Sequence, residues 1–187
     1  MFPVYSSFLQ RGYDQLIHDI AIQNLPVTIC IDRAGIVGAD GETHQGFFDL
    51  AFLSHIPNFV VMAPKNFEEL EKMLEYSVNL NKPTVIRYPR GGEGKIKFEA
   101  CTKIDLGKAE VIKKGTDLTI VALGKMVEKA MEVAENLEKE EVNVEVINAR
   151  FLKPLDKDTI LKSIEKTKNA ITIEDALLKG GLRKCCY

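Results

Sequence analysis

The hydrophobic and polar positions of the chain form two kinds of segment, short apolar runs and longer stretches with helical spacing. The apolar runs are rich in β-branched residues and lie at residues 27–32, 58–64, 83–91, 117–124, 142–150 and 169–175. Runs of this length that are apolar throughout are typical of strands buried on both faces of a parallel sheet. Because helical stretches separate them, the pattern predicts an α/β fold with a mainly parallel sheet and helices on both faces.

The helical stretches are recognised by apolar stripes. The first stripe predicts a helix over residues 7–23 and consists of Phe8, Leu9, Leu16, Ile17 and Ile20. The second predicts a helix over residues 67–79 that buries Leu70, Met73, Leu74 and Val78. Asn66 would cap this second helix, with Glu69 in the capping-box position three residues later.

Two further helices are predicted in the second half of the chain. The stripe of the first consists of Val127, Ala130, Met131, Ala134 and Leu137. Pro154 is expected to open the other, near residues 156–166. Between the two halves, residues 92–116 are charged and punctuated by glycine, which predicts a linker with one short strand at 109–114. The chain therefore reads as two α/β units.

Composition narrows the class of protein. The 187 residues are 45% hydrophobic, and 25 Lys and Arg oppose 27 Asp and Glu. A net charge of −2 excludes the broad basic surface of a nucleic-acid-binding protein. No apolar run approaches the roughly 20 residues of a membrane span, and the N-terminus lacks signal-peptide features, which favours a cytoplasmic protein.

The cysteines and histidines give little support to a metal site. Cys30 lies in an apolar run and is expected in the core, and Cys101, Cys185 and Cys186 form no CxxC pair with it or with each other. The three histidines have neither HxH nor HExxH spacing. Two of them, His18 and His55, are expected to be surface or packing residues.

The segment "DRAGIVGADGETHQGFFDL", residues 32–50, has a different character from its neighbours. Gly35, Gly38 and Gly41 follow a predicted strand, but their spacing matches neither a dinucleotide fingerprint nor a P-loop. A loop that needs positive φ at several points accounts for the glycines. It does not account for the histidine, His44, and the charged residues grouped with them.

Arg33 and Arg90 each follow a predicted parallel strand. The carboxyl ends of such strands are where open α/β sheets bind ligands. Two guanidinium groups at this edge suit a phosphate or a carboxylate, because each can donate two hydrogen bonds to such a group. Ordinary surface salt bridges are the alternative interpretation.

Several segments together carry a resemblance to a known family. They are "YSSFLQRGYDQ" (5–15), "DRAGIVGADGETHQGFFDL" (32–50), "NFVVMAP" (58–64), "IRYPRG" (86–91), "EVINARFLKPLD" (145–156) and "ITIEDALLKGGL" (171–182). In these segments the chain resembles the 1-deoxy-D-xylulose-5-phosphate synthases, transketolase-like enzymes that depend on thiamine diphosphate and Mg²⁺. The resemblance extends over nearly all of residues 4–182.

The resemblance implies an activity and a domain organisation. The family condenses pyruvate, with loss of CO₂, and D-glyceraldehyde 3-phosphate to 1-deoxy-D-xylulose 5-phosphate, which feeds isoprenoid, thiamine and pyridoxal biosynthesis, and it acts as a homodimer. By resemblance, residues 1–93 form a pyrimidine-binding domain without its first strand and the helix upstream. Residues 94–115 form a linker, and residues 116–187 a truncated transketolase C-terminal domain.

The resemblance also implies roles for individual residues. Phe8 matches the aromatic residue that stacks on the aminopyrimidine of the cofactor, and Tyr5 a tyrosine of the acceptor pocket. Arg33 and Arg90 match the pair that holds the acceptor phosphate. His44 matches an active-site histidine suited to proton transfer near neutral pH.

Asp40 matches an acid beside the acceptor hydroxyl.

The chain also departs from the family in two motifs that bind or activate the cofactor. The family holds Mg²⁺ and the cofactor diphosphate with a GDG…N motif, to which "ADG" at 39–41 and Asn66 bear only a superficial likeness. The family glutamate that acts on the aminopyrimidine is also absent. We therefore expect the chain to be an internal fragment of such a synthase, without the diphosphate and Mg²⁺ site and inactive on its own. Its sequence departs from that of the family after Leu182. The alternatives are one subunit of a split thiamine-diphosphate enzyme and a non-catalytic phosphosugar-binding remnant.

Overall fold

The computed structural model describes residues 1–101 and 103–186, apart from the side chain of Cys185. Its strands are β1 (Phe2–Tyr5), β2 (Thr28–Asp32), β3 (Val60–Met62), β4 (Thr84–Arg87), β5 (Glu110–Lys113), β6 (Leu118–Ala122), β7 (Val144–Asn148), β8 (Phe151–Lys153) and β9 (Ala170–Ile173). Its α-helices are α1 (Ser6–Leu9), α2 (Tyr13–Gln15), α3 (Asp49–His55), α4 (Phe67–Asn79), α5 (Met126–Glu138), α6 (Lys157–Thr167) and α7 (Leu182–Cys185). A 3₁₀ turn joins α1 to α2 and a π-helical stretch, Leu16–Ala21, continues α2, so residues 6–21 form one helical segment.

Two mainly parallel sheets confirm the predicted α/β class. The first sheet has the strand order β1-β2-β4-β3-β8, and its first four strands are parallel. The second has the order β5-β7-β6-β9, in which only the β5–β7 pair is antiparallel. The sequence pattern predicted neither β1, which pairs with β2 at the edge of the first sheet, nor the short helix α3.

Strand β8 connects the two units. It follows β7 of the second sheet, yet it pairs antiparallel with β3 of the first, with Met62 opposite Phe151 and Val61 opposite Lys153. The pattern predicted only a helix start at Pro154 here, because a three-residue strand is too short to show a period. The two units therefore share a sheet.

The largest hydrophobic cluster also crosses between the units. It combines Leu50, Leu53 and Phe59 of the first unit with Val121 and Leu152 of the second. All five are at most 2% exposed.

Cys30 is buried as expected. Among the described residues no helix is long and apolar enough to cross a membrane.

Two predicted core positions are wrong. Val78 of α4 is 62% exposed, and the buried face of this helix instead contains Glu69, Met73 and Ser77. The Ser77 hydroxyl is satisfied, since it donates to the Leu74 carbonyl and accepts from Thr28. Phe8 is 46% exposed, although its spacing placed it on the buried stripe of the first helical segment.

The buried carboxylate of Glu69 is the centre of an ion network between the units. Glu69 follows the N-cap Asn66, whose side chain accepts from the Glu69 backbone N–H as predicted. Its carboxylate accepts from the Lys65 backbone N–H at 2.7 Å and from Arg150 Nε at 2.7 Å. Glu110 of β5 accepts from Lys65 Nζ at 2.7 Å and lies 2.9 Å from Arg150 Nη2, while Asn148 donates to both carboxylates.

Replacing Glu69 by alanine is expected to destabilise the fold strongly. The side chains of Lys65 and Glu69 are 0% exposed, so the variant would leave Lys65 and Arg150 to share the single carboxylate of Glu110. Breaking a buried pair in this way costs about 3–5 kcal/mol. The free energy of unfolding is measured by urea titration followed by circular dichroism. Glu71→Ala, at an exposed position of the same helix, is the control and should stay within about 0.5 kcal/mol; equal effects of the two variants would contradict the assignment.

The fold is also expected to lose stability in acid. Burial alone would raise the pKa of Glu110, but the hydrogen bond from Lys65 and the charge of Arg150 outweigh it and hold that pKa below its ordinary 4.5. The Glu110 carboxylate therefore binds a proton more readily in the unfolded chain than in the folded chain. Its contribution to stability is present above the ordinary pKa of 4.5 and is lost as the pH falls through the lower pKa of the folded state.

The free energy of unfolding should accordingly fall as the pH is lowered from near the ordinary value of 4.5 through the lower folded value. The Glu110→Gln variant should be less stable at neutral pH and lose less on acidification, and Glu71→Gln provides the comparison at an exposed site. Parallel pH profiles of Glu110→Gln and the parent chain would show that this carboxylate does not titrate as described.

Candidate functional site

The candidate site is built on the loop that follows β2. The loop is closed at its base by two backbone hydrogen bonds between Gly35 and Gly46, of 2.7 and 2.8 Å. A Cβ atom on Gly46 would lie 2.1 Å from the Arg33 carbonyl oxygen, so only glycine permits this approach. Arg33 itself is in the left-handed region, with φ of 55°. Positive φ at Gly35 and Gly41 agrees with the expectation for this loop, whereas Gly38 does not need it.

A buried ion pair lies beneath the loop. Arg87, at the end of β4, donates through Nε to Asp49 of α3 at 3.1 Å, and the two side chains are 5% and 0% exposed. The Ser6 hydroxyl donates to the same carboxylate at 3.1 Å. Since a buried charge must be paired, this cluster fixes the relative positions of β4, α1 and α3.

The two predicted arginines converge on one carboxylate. Arg33 Nε lies 3.0 Å from Asp40 Oδ2, and Arg90 Nη1 donates to Asp40 Oδ1. The Asp40 side chain is only 7% exposed. Its Oδ2 lacks a hydrogen bond of good geometry among the described residues, so its attraction to Arg33 is ionic. Arg33 and Arg90 thus meet at one carboxylate at the carboxyl edge of the sheet, and both form salt bridges with it.

Aromatic rings continue the site away from the arginines. The Arg33 guanidinium lies 3.9 Å from the centre of the Tyr5 ring, a cation–π arrangement. The Tyr5 and Phe8 rings are stacked with their centres 5.5 Å apart, and the His44 ring is nearly perpendicular to Phe8 with its centre 5.3 Å away. The structure therefore brings all six predicted site residues into one continuous row.

The surroundings of His44 form a pocket. A space of about 400 Å³ is lined by Phe8, His44, Phe47 and Phe48 among others. His44 Nδ1 lies 2.9 Å from the Thr43 hydroxyl, which holds the imidazole by that nitrogen. The exposed face of Phe8 explains why its helical spacing was misleading, because the ring belongs to this pocket and not to the core.

Sequence reasoning missed Gln45. Its side chain accepts from the Val37 N–H at 2.7 Å and donates to the carbonyls of Val37 and Gly41, at 2.9 and 2.6 Å. These bonds hold the turn that contains Asp40. A glutamine has no spacing rule that would reveal such a clamp, whereas Arg87, also missed, could have been noticed as a charge inside an apolar strand.

The remaining histidines have local partners. His18 pairs with Asp14 at 2.9 Å on an exposed face, and His55 Nε2 lies 2.5 Å from the Tyr13 hydroxyl. Both are surface or packing residues, as expected. Within residues 1–101 and 103–186, no group of three or more His, Cys, Asp or Glu side chains could hold a metal ion.

Family models match the two units in order. Residues 3–93 match the transketolase pyrimidine-binding domain, and residues 107–184 match the transketolase C-terminal domain. Curated relatives named 1-deoxy-D-xylulose-5-phosphate synthase are 52% identical in Clostridium perfringens and 54% in Halothermothrix orenii, over 96% and 95% of the chain. The resemblance is thereby confirmed. The chain spans 29% and 28% of the length of these two relatives.

Solved structures share the whole fold. One is titled as a split-gene transketolase in an inactive β4 tetramer; it has a TM-score of 0.90 and 30% identity, over 98% of this chain and 60% of that one. A transketolase mutant from Pichia stipitis has a TM-score of 0.78 at 19% identity, over 92% of this chain and 26% of that one, and supports the fold alone. With two family models matched in sequence, the chain belongs to the transketolase family, in which it corresponds to a pyrimidine-binding domain followed by a C-terminal domain.

Proposed function

We propose that these residues form the acceptor-phosphate and aminopyrimidine part of a 1-deoxy-D-xylulose-5-phosphate synthase active site. The observation that carries the proposal is the convergence of Arg33 and Arg90, distant in sequence, on one anionic group beside His44 and Phe8. The reaction would join pyruvate, with loss of CO₂, to D-glyceraldehyde 3-phosphate. The curated relatives bear the name of this enzyme.

The acceptor phosphate would bind between the two arginines. Each guanidinium offers a planar fork of N–H donors that matches phosphate oxygens. Tyr5 covers one face of the Arg33 guanidinium and so limits its orientation. Asp40 now occupies the position between the arginines; when the phosphate replaces it there, its carboxylate is free to accept from the acceptor hydroxyl.

His44 would move the proton. The Thr43 hydroxyl holds Nδ1, and Nε2 would exchange a proton with the acceptor oxygen as the new carbon–carbon bond forms. An imidazole suits this step because its ordinary titration range is near neutral pH.

Phe8 and its neighbours fit the flat ring of a thiamine. The phenyl ring is half-exposed and borders the 400 Å³ pocket with Phe47 and Phe48. Phe8 would stack on the aminopyrimidine, as aromatic rings do with flat partners. Thiamine diphosphate, when bound, would supply the carbon nucleophile for the decarboxylation of pyruvate and the transfer of the two-carbon unit. The described residues contain no group of three or more His, Cys, Asp or Glu side chains that could hold Mg²⁺.

Arg90→Ala should weaken binding of D-glyceraldehyde 3-phosphate by about 10- to 100-fold, because charge-assisted hydrogen bonds contribute about 1.5–3 kcal/mol. Isothermal titration of the 187-residue chain with this ligand measures the effect. Arg90→Lys should recover part of the loss, since it keeps the charge without the fork. Arg183→Ala, at an exposed position of α7, is the control; the same affinity for Arg90→Ala and for the control would reject the phosphate site.

Asp40→Asn should tighten the binding of inorganic phosphate several-fold. The neutral amide no longer competes with phosphate for Arg33 and Arg90. Inorganic phosphate is the informative probe because it has no acceptor hydroxyl with which Asp40 could interact. Phosphorus NMR of the titrated chain reports the change, and weaker binding by Asp40→Asn would instead assign Asp40 to holding the arginines in place.

A second candidate function is one subunit of a two-chain enzyme. The observation that favours it is the split-gene transketolase structure, which matches 98% of this chain. Such an enzyme should regain synthase activity when the chain is mixed with a separately expressed diphosphate-binding domain of a related synthase. A mixture that forms a complex without turnover would favour a non-catalytic phosphosugar-binding role.

A further inference from the structure

Asp175 reaches from the second unit into the loop of the candidate site. It follows β9, and its Oδ1 accepts from the Ile36 backbone N–H at 3.2 Å. Its Oδ2 lies 2.5 Å from Lys125 Nζ at the start of α5, and its side chain is 15% exposed. One carboxylate therefore contacts the loop of the first unit and a cation of the second.

Gly35 is shaped to receive this carboxylate. A Cβ atom at Gly35 would lie 2.0 Å from Asp175 Oδ2, and its φ is +80°. A side chain at position 35 would therefore both strain the backbone and displace Asp175. Since Gly35 also forms the base of the loop with Gly46, Asp175 rests on the point where the loop closes.

The buried pair beneath the loop holds the backbone of Asp175 as well. Arg87 Nη2 donates to the Asp175 carbonyl at 3.1 Å, while its Nε is bound to Asp49. Further along the same segment, the Leu177 N–H donates to the Phe47 carbonyl at 3.1 Å. The segment after β9 is thus fixed to the site loop at both ends of that loop.

We propose that Asp175 is a positioning residue for the phosphate site, and the proposal rests on the function proposed above. By holding the Ile36 amide, it fixes the backbone between Arg33 and Asp40, and with it the separation of the two arginines. It acts from the C-terminal domain through its side-chain contacts with Ile36 and Lys125, and not by binding the guanidinium groups of Arg33 and Arg90. A residue of the second unit thereby helps to set the geometry of a site that lies in the first unit.

The test compares Asp175→Ala, Asp175→Asn and Asp158→Ala in the 187-residue chain. Amide hydrogen exchange by NMR at Ile36 and Val37 reports the order of the loop, and amides of β2 and β4 report the fold. Asp175→Ala should speed exchange at Ile36 by about fivefold or more, as expected for the loss of one hydrogen bond, while the β2 and β4 amides stay protected. Asp175→Asn keeps an oxygen acceptor and should restore slow exchange, and the exposed Asp158 of α6 should have no effect.

Binding of inorganic phosphate is measured on the same variants. Its affinity should fall several-fold in Asp175→Ala and recover in Asp175→Asn. Unchanged exchange at Ile36 in Asp175→Ala, or Asp175→Asn behaving like alanine, would overturn the positioning role. If the parent chain binds no phosphate but Ile36 exchange responds as stated, the phosphate site fails and the hold on the loop stands. If phosphate affinity follows Arg90 but not Asp175, the site stands and the positioning role fails.

Discussion

The structure depends on charges that are buried where the two units meet. Glu69 accepts hydrogen bonds from its own unit through Lys65 and from the other through Arg150 and Asn148. Each of these groups would be costly to bury alone, and the cost disappears only when both units are present with the correct geometry. A purely apolar contact would tolerate sliding, whereas this network permits one relative position. The shared strand β8 has the same consequence, since it belongs to the second unit by sequence and to the first sheet by pairing.

A second buried pair repeats this arrangement under the candidate site. Arg87 and Asp49 are almost fully buried, and Arg87 also donates to the carbonyl of Asp175. The loop above them is rich in glycine, and two of its large apolar side chains, Ile36 and Phe48, are 66% and 43% exposed. Its shape therefore comes from hydrogen bonds: the Gly35–Gly46 bridge at its base, Gln45 across its turn and Asp175 from the side. Such a loop can present charged groups to a ligand without a hydrophobic core of its own.

Sequence reasoning recovered the parts of the fold that repeat. Continuous apolar runs placed β2, β4 and β6, because nearly every residue of these strands is buried. Helical spacing placed α5, because burial recurs on each turn of the helix. Sequence reasoning missed β1 and β8, which are short and are defined by their pairing partners, and also the seven-residue helix α3. It also placed Val78 in the core, where Ser77 and Glu69 lie instead, because periodicity ranks residues by hydropathy and cannot foresee a hydrogen-bonded polar group.

The candidate site shows the same division. Arg33 and Arg90 could be placed together because parallel strands present their carboxyl ends at one edge. The family resemblance supplied Tyr5, Phe8, Asp40 and His44, whose convergence no spacing rule predicts. Gln45 and Asp175 were missed because their side chains bind backbone groups. Since nearly every residue type has the same backbone groups, the sequence does not show which residue such a side chain contacts. Gly35 is the exception: the glycine exists partly to admit the carboxylate of Asp175. A glycine in such a loop can therefore be required by the close approach of a distant side chain as well as by a turn of the backbone.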